Sequence, residues 1–295
     1  MINPIVKWAG GKSKIENEFK ELYNKVKPEL YIDLFSGSLT LPLLTIPKKA
    51  IFNDINFPLI NCYKMIKKYP NLLITNLEKY NDVEYNTKEK FNEIRENFNI
   101  LKHKELNKKD KITQSVELAT IFLYLNKRSF NGLYRENSSG LYNVPYREYN
   151  SDIFNKDNIL KLSKYLNEND IKLTNKNIFD MDIIDIIKKE NINFEKVLVY
   201  LDPPYYPSKK SKFTGYSKVP FNIEEQVKLK KLCDILHKNK IKFILSNSPC
   251  DEIKDLYKNY QQKCLYIGRQ MRSGKGKSKV FTDKDEPNEI LIYNI

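Results

Sequence analysis

Five short apolar runs punctuate the chain: LYIDL at 30–34, AIFN at 50–53, IKLT at 171–174, VLVYL at 197–201 and IKFIL at 241–245. Runs of this length, bounded by polar or turn-forming residues, predict strands. Between them, apolar residues recur at helical spacing over 13–25, 57–68, 112–125, 180–189 and 222–238. Strands alternating with helices predict a doubly wound α/β sheet. The stretch 70–150 breaks the rhythm. It is helical and polar, then rich in Arg, Asn, Tyr and Gly, with no run as apolar as VLVYL. An insertion between the second and third strands, folding as its own small domain, explains it better than a continued sheet. Its lysine-rich piece, 102–111, reads as a solvated loop or helix end.

With 295 residues and 41 % apolar content, the chain buries one sizeable core and a smaller companion. No run of eighteen apolar residues occurs, and MINPIVKWAGGK lacks the build of a leader, so the chain reads as soluble and unexported. Cys62, Cys233, Cys250 and Cys264 form no CxxC pair, with only His103 and His237 beside them, which argues against disulfides and structural zinc. The formal net charge of +14 suits a polyanionic partner. Of the six arginines, all but Arg95 fall in two segments, Arg128, Arg135 and Arg147 in one and Arg269 and Arg272 in the other. The planar fork of arginine matches phosphates and guanine edges, which makes both segments candidate nucleic-acid contacts.

Ligands of open α/β sheets bind beyond the carboxyl ends of the strands. Asp33, Asp54 and Asp202 each stand at or just past such an end, so three carboxylates are expected along one crevice. A single one of them often only caps a helix. In DLFSGS, 33–38, Gly37 marks the turn from strand to helix, and Asp54 lies one strand later, about where an acidic side chain takes a ribose or purine hydrogen bond. KWAGGK, 7–12, is not a phosphate loop: the pattern GxxxxGK[ST] needs a glycine at position 6, where the chain has Val6. A glycine turn that brings Trp8 and Lys12 to a flat, carboxylate-bearing ligand is the alternative.

DPPY, 202–205, ends the fourth strand. Pro203 has no amide hydrogen and Pro204 restrains it toward extended backbone, so the segment offers carbonyl acceptors. Asp202 and a proline carbonyl together can take both hydrogens of an exocyclic amine while Tyr205 stacks on the attached ring. Such an amine is a poor nucleophile because its lone pair is delocalised. Two acceptors draw it toward a tetrahedral geometry that frees the pair for an in-line donor.

KWAGGK, DLFSGS, the ND at 53–54 and DPPYY, in this order and with an insertion before DPPY, resemble the Dam-type family of DNA adenine methyltransferases. LYLNKRSFNGLYRENSSGLYNVPY, 123–146, is similar to the family's target-recognition hairpin, and FTGYSKVPFNIEEQ, 213–226, to the segment after its catalytic motif. The resemblance implies a Rossmann-like, S-adenosyl-L-methionine-dependent catalytic domain (1–56 and 157–295) and an inserted, mainly helical target-recognition domain (57–156) carrying a hairpin. It implies methylation of the exocyclic nitrogen of adenine in a short duplex site, GATC or another adenine-containing one. Trp8, Lys12, Phe35, Gly37, Asp54 and Asp202 match cofactor-binding positions; Asp202, Pro203, Pro204 and Tyr205 match the catalytic motif. Lys7, Leu133, Arg135 and Pro145 match residues that read GATC, with Asn131 among them, and Phe130 stands where a tyrosine wedges into the duplex.

The basic turn at 268–279, with Arg269 and Arg272, reads as a hairpin loop on phosphates, and 206–220 as a lid over an extruded base. The implied partner is double-stranded DNA, with a cognate restriction endonuclease as a further possibility, for a cytoplasmic, nucleoid-associated monomer needing neither membrane nor metal. Three rivals stay open. An RNA or rRNA amino methyltransferase shares the crevice but not the hairpin, and a protein amide methyltransferase begins its motif with Asn. A DNA-binding protein on an inactive scaffold is disfavoured by Lys12, Asp54, Asp202 and Tyr205.

Overall fold

The computed structural model describes residues 1–107, 115–149, 152–207, 221–266, 269–271, 279–281 and 287–295. The chain runs through α1 (Glu16–Val26), β1 (Leu30–Asp33), α2 (Pro42–Thr45), β2 (Lys49–Asn53), α3 (Phe57–Lys68), α4 (Pro70–Glu78), α5 (Lys88–Leu106) and α6 (Val116–Arg128). It continues through α7 (Lys156–Glu168), β3 (Asp170–Thr174), α8 (Ile183–Lys189), β4 (Val197–Leu201), α9 (Ile223–Lys238), β5 (Lys242–Asn247) and α10 (Asp251–Leu256). β6 (Gln261–Leu265), β7 (Arg269–Met271), β8 (Lys279–Phe281) and β9 (Glu289–Tyr293) complete it. All five expected strands form. The helix expected over 180–189 starts at Ile183 because Asp182 caps it through the Asp185 amide, and residues 178–180 make a separate 3-10 turn. Ser115 likewise sets the start of α6, accepting from the Leu118 amide at 3.1 Å.

The main sheet has seven strands in the order β3-β2-β1-β4-β5-β9-β6. The first five are parallel, and β9 runs antiparallel between β5 and β6. The order reverses between β1 and β4, the place where open α/β sheets bind ligands. Side chains alternate between two buried clusters. Tyr31, Phe52, Leu198, Tyr200 and Ile244 enter one; Ile32, Ile51, Val199, Leu201 and Leu245 enter the other. Every residue of β4 is buried, as its unbroken apolar run requires.

The segment 57–156 enlarges the first cluster: Tyr63 of α3, Phe91 and Phe98 of α5 and Tyr124 of α6 are buried with Tyr31 and Phe52. Sandwiched against α3, α4 and α5, α6 is buried almost all round, so it shows no polar face. After it the chain doubles back, bridged in antiparallel fashion at Ser129–Tyr146 and Glu136–Tyr142, with Asn137 bonding the Ser139 and Leu141 amides at the tip. Buried Lys102 of α5 clamps that tip through Glu136 and the Gly140 carbonyl. This overturns the solvated reading for Lys102; residues 108–111 lie outside the described ones. Among the described residues no helix is long and apolar enough to cross a membrane.

Asn53 ties the carboxyl ends of β1 and β2 to the chain after β3. Fully buried, its amide donates to the Leu34 and Lys176 carbonyls and accepts from the Thr174 hydroxyl and the Lys176 amide. Buried polar groups stripped of partners are costly, so Asn53→Ala is expected to destabilise the protein by about 2–4 kcal/mol. Urea unfolding measures this; a loss below about 1 kcal/mol shows that the cross-tie is dispensable.

Candidate active site

The crevice lies along the carboxyl rim of β1, β2 and β4. Asp33 ends β1, Asp54 follows β2 and Asp202 follows β4. Asp33 and Asp54 are buried and Asp202 is partly buried, with 19 % of its side chain exposed, and their charges act on one another: Asp54 and Asp202 both push up the carboxyl of Asp33. The three therefore stand close together on one rim, as their strand-end positions require. Burial is the main cause of each shift. It raises Asp33 well above the usual carboxylate range against the pull of the Phe35 amide. Asp54 is pushed up to about 6 by burial, opposed by the Asn56 and Gly37 amides at 2.8 and 3.0 Å. Asp202 is also pushed up to about 6 by burial, opposed by Lys12.

Lys12 Nζ stands 2.9 Å from Asp202 Oδ1 and donates to the Gly10 carbonyl at 2.7 Å. Asp202 Oδ1 is buried, and Lys12 holds it by charge and by hydrogen bond. A carboxylate oxygen has a second lone pair, which remains for a ligand. The ammonium also lies 4.8 Å from the centre of the Tyr205 ring. A glycine turn brings it there: Gly10 has φ +80°, a conformation that side chains disfavour.

Trp8 lies over Gly37, where an added Cβ would stand 2.9 Å from the indole Cδ1. Glycine at 37 is thus required twice, by this contact and by φ +48°. Its carbonyl accepts from the Tyr63 hydroxyl at 2.8 Å. Phe35 meets Phe221 edge-on at 6.2 Å, and Phe221 stacks on Phe179, giving the cleft an aromatic wall. Trp8, Lys12, Gly37, Asp54 and Asp202 therefore converge, with Phe35 beside them.

The loop after β4 is held by a buried amide bracket. Gln226 of α9 donates to the Pro204 carbonyl at 3.1 Å and accepts from Asn247 Nδ2 at 3.0 Å. Asn247 Oδ1 accepts the Tyr206 amide, and the Ser248 hydroxyl donates to the Tyr206 carbonyl at 2.6 Å. Gln226 thereby fixes the Pro204 carbonyl, and the Pro203 carbonyl is the motif's other proline acceptor. Sequence reasoning missed Gln226, Asn247 and Ser248, although SNS at 246–248 ends β5 on the same rim. It also missed Glu289, whose carboxylate accepts from the Tyr205 hydroxyl. That residue begins β9, and an antiparallel strand brings its amino end to the rim where parallel strands bring their carboxyl ends.

The candidate DNA contacts form a second group joined to the first by the N-terminal segment. Asn126 accepts the Lys7 amide at 2.9 Å and donates to the Lys7 and Gly132 carbonyls. Lys7 Nζ lies 4.7 Å from the centre of the Tyr149 ring. Phe130 is 45 % exposed, and its amide donates to the Pro145 carbonyl. Asn131, at φ +56°, accepts from Arg147, whose guanidinium also covers the Phe130 ring. Leu133 packs on the first core cluster, while Arg135 donates through Nε to Asn143 Oδ1 at 2.8 Å. Trp8 stacks on Tyr134 of the same hairpin at 5.7 Å. Arg269 lies on β7, paired with β8 in a separate two-stranded ribbon, and residues 272–278, most of the expected loop, lie outside the described residues. Arg272 and residues 208–220, the greater part of the expected lid, lie outside the described residues.

Comparison with known proteins agrees with this geometry. Residues 8–272 match the model of the D12 class N6 adenine-specific DNA methyltransferases. The chain is 35 % identical to the type II methyltransferase M.MjaIII of Methanocaldococcus jannaschii, covering 99 % of both chains. It is 34 % identical to the type II methyltransferase M1.LlaDCHI of Lactococcus lactis subsp. cremoris, over 99 % of this chain and 95 % of that one. With the DNA adenine methylase of Escherichia coli K12 the identity is 26 %, over 93 % and 91 %. The match spans the crevice, the insertion and the loop after β4, and the chain belongs to the D12 class of N6 adenine-specific DNA methyltransferases.

Proposed function

We propose that the enzyme takes its methyl group from S-adenosyl-L-methionine and places it on the exocyclic amine of an adenine turned out of a duplex GATC site. The observation that carries this reading is the convergence of Lys12, Asp54 and Asp202 on one rim. The residues fit the donor. Asp202 and Glu289 share the Lys12 ammonium, with Asp33 and Asp54 on the same rim, an excess of carboxylates that suits a ligand bearing cationic groups and a ribose diol. Asp54 takes the ribose, with Trp8, Phe35 and Gly37 shaping the wall, a reading supported by the contact of Trp8 with Gly37 and of the Gly37 amide with Asp54. When bound, the cofactor supplies an electrophilic methyl group on a sulfonium.

The chain's own residues prepare the amine. Asp202 and the Pro203 carbonyl accept its two hydrogens and Tyr205 stacks on the ring, while Gln226 fixes the Pro204 carbonyl. As the nitrogen gains positive charge, Asp202 stabilises it until the surplus proton of the methylated amine leaves to solvent. Residues 57–156 serve as the recognition domain. Within it Phe130 fills the gap left by the flipped base, and Arg135 forks onto a guanine beside Lys7, Asn131, Leu133 and Pro145. Arg269 and Arg272 hold phosphates. The type II names of two relatives support a role beside a cognate restriction endonuclease.

Asp202→Ala is expected to lower kcat by about 10²–10³-fold while leaving most duplex binding intact. Tritiated-methyl transfer and a gel-shift titration check this, and retained turnover sinks the assignment. Arg135→Ala should cost about 1–3 kcal/mol of discrimination at one base pair of the site. Sequencing of methylated adenines in DNA from expressing cells reads this loss and tests GATC itself. The pH dependence follows from the buried carboxyls. Asp54 and Asp202, pushed up to about 6, must be ionised to act, so kcat/KM should fall as the pH drops through about 6. Because these pKa values lie above the unfolded value, the same two groups favour the folded, ligand-free protein at low pH and lose that contribution as the pH rises to about 6. An acid limb below pH 5 in a kcat/KM profile would count against a working role for both.

A further inference from the structure

Glu289 is 13 % exposed in its side chain, at the start of β9, where its backbone pairs with Leu265. One oxygen, Oε1, takes the hydrogen of the Tyr205 hydroxyl and stands 3.9 Å from Lys12 Nζ. The same ammonium is 2.9 Å from Asp202 and 4.8 Å from the centre of the Tyr205 ring. Tyr205 is thus gripped at both ends, by a cation over its face and by a carboxylate on its hydroxyl. Lys12 in turn stands between two carboxylates. The arrangement costs the desolvation of an extra charge. A phenylalanine at 205 would stack on a base without any such partner, so the phenol and its acceptor serve orientation rather than burial.

We propose that Glu289 is a positioning residue for methyl transfer. It acts through Tyr205, fixing the plane on which the flipped adenine rests. This rests on the reading of Asp202 and Tyr205 as the amine clamp. A ring held only by its stem can rock about two side-chain torsions. One held also at its hydroxyl cannot, and small misalignments of reacting groups are expensive in rate.

Steady-state kinetics on an unmethylated duplex, combined with a double-mutant cycle, test this. Glu289→Ala should lower kcat about tenfold, with KM for the duplex changed by less than about threefold. Glu289→Gln, whose amide oxygen still accepts the phenol hydrogen, should recover most of that loss. In a Tyr205→Phe background, Glu289→Ala should cost less than about a further twofold, because the contact is already gone. With 2-aminopurine at the target position, the bound complex of Glu289→Ala should fluoresce more brightly than that of the unaltered enzyme, reporting weaker stacking. Multiplying effects in the cycle, no recovery by Gln, or a change in KM alone overturns the proposal. Where Glu289→Ala loses its cooperative melt, Tyr205→Phe alone must show the kcat loss and the brighter complex, and wild-type values for both overturn it. An Asp202→Ala arm separates the two claims: turnover surviving there defeats the clamp, whereas the cycle is read with Asp202 intact.

Discussion

A buried carboxylate beside a buried ammonium, Asp202 against Lys12, is the contact on which the rest of the crevice depends. Neither group tolerates that depth alone, and the pair alone does not settle the electrostatics, since burial still holds Asp202 well above its solution range. The fold has to bring them together from positions 190 residues apart in the chain. A strand buried on both faces delivers Asp202 to the rim, and a glycine turn ahead of the first helix delivers Lys12. Asp54 and Asp33 stand on the same rim, where burial raises both carboxyls.

Support for this cleft comes from amides rather than from charge. Asn53 joins the ends of β1 and β2 to the chain after β3, and Gln226 with Asn247 fixes the loop beyond β4. Each is fully buried, and each meets its hydrogen-bonding needs by holding a backbone segment that carries function. Such brackets are stiff because no water can substitute for a partner. The carbonyl of Pro204 is fixed by Gln226, so the direction in which the loop offers its other proline acceptor is set in advance.

The alternating strands and helices were legible because each parallel strand is short, apolar and bounded by turns. Asp33, Asp54 and Asp202 were legible because parallel strands put their carboxyl ends on one rim. Glu289 was hidden for a reason of direction. The pattern EILIY announces a strand, but nothing in it tells that the strand runs against its neighbours, and only that reversal carries its first residue to the cleft. Gln226 and Asn247 were hidden because a lone amide, whether in the polar run NIEEQ or at the end of FILSN, looks the same when it braces a loop as when it caps a helix. Lys102 was misread because it lies in a lysine-rich run, although folding buries it against the hairpin tip.

The stack of Trp8 on Tyr134 has a mechanical corollary. Trp8 touches the glycine of the donor-side turn on one side and the hairpin on the other, so the two halves of the enzyme share a single indole. Loss of the ring at 134 would therefore be felt at the turn around Gly37 as well as in the hairpin, because one indole is packed against both.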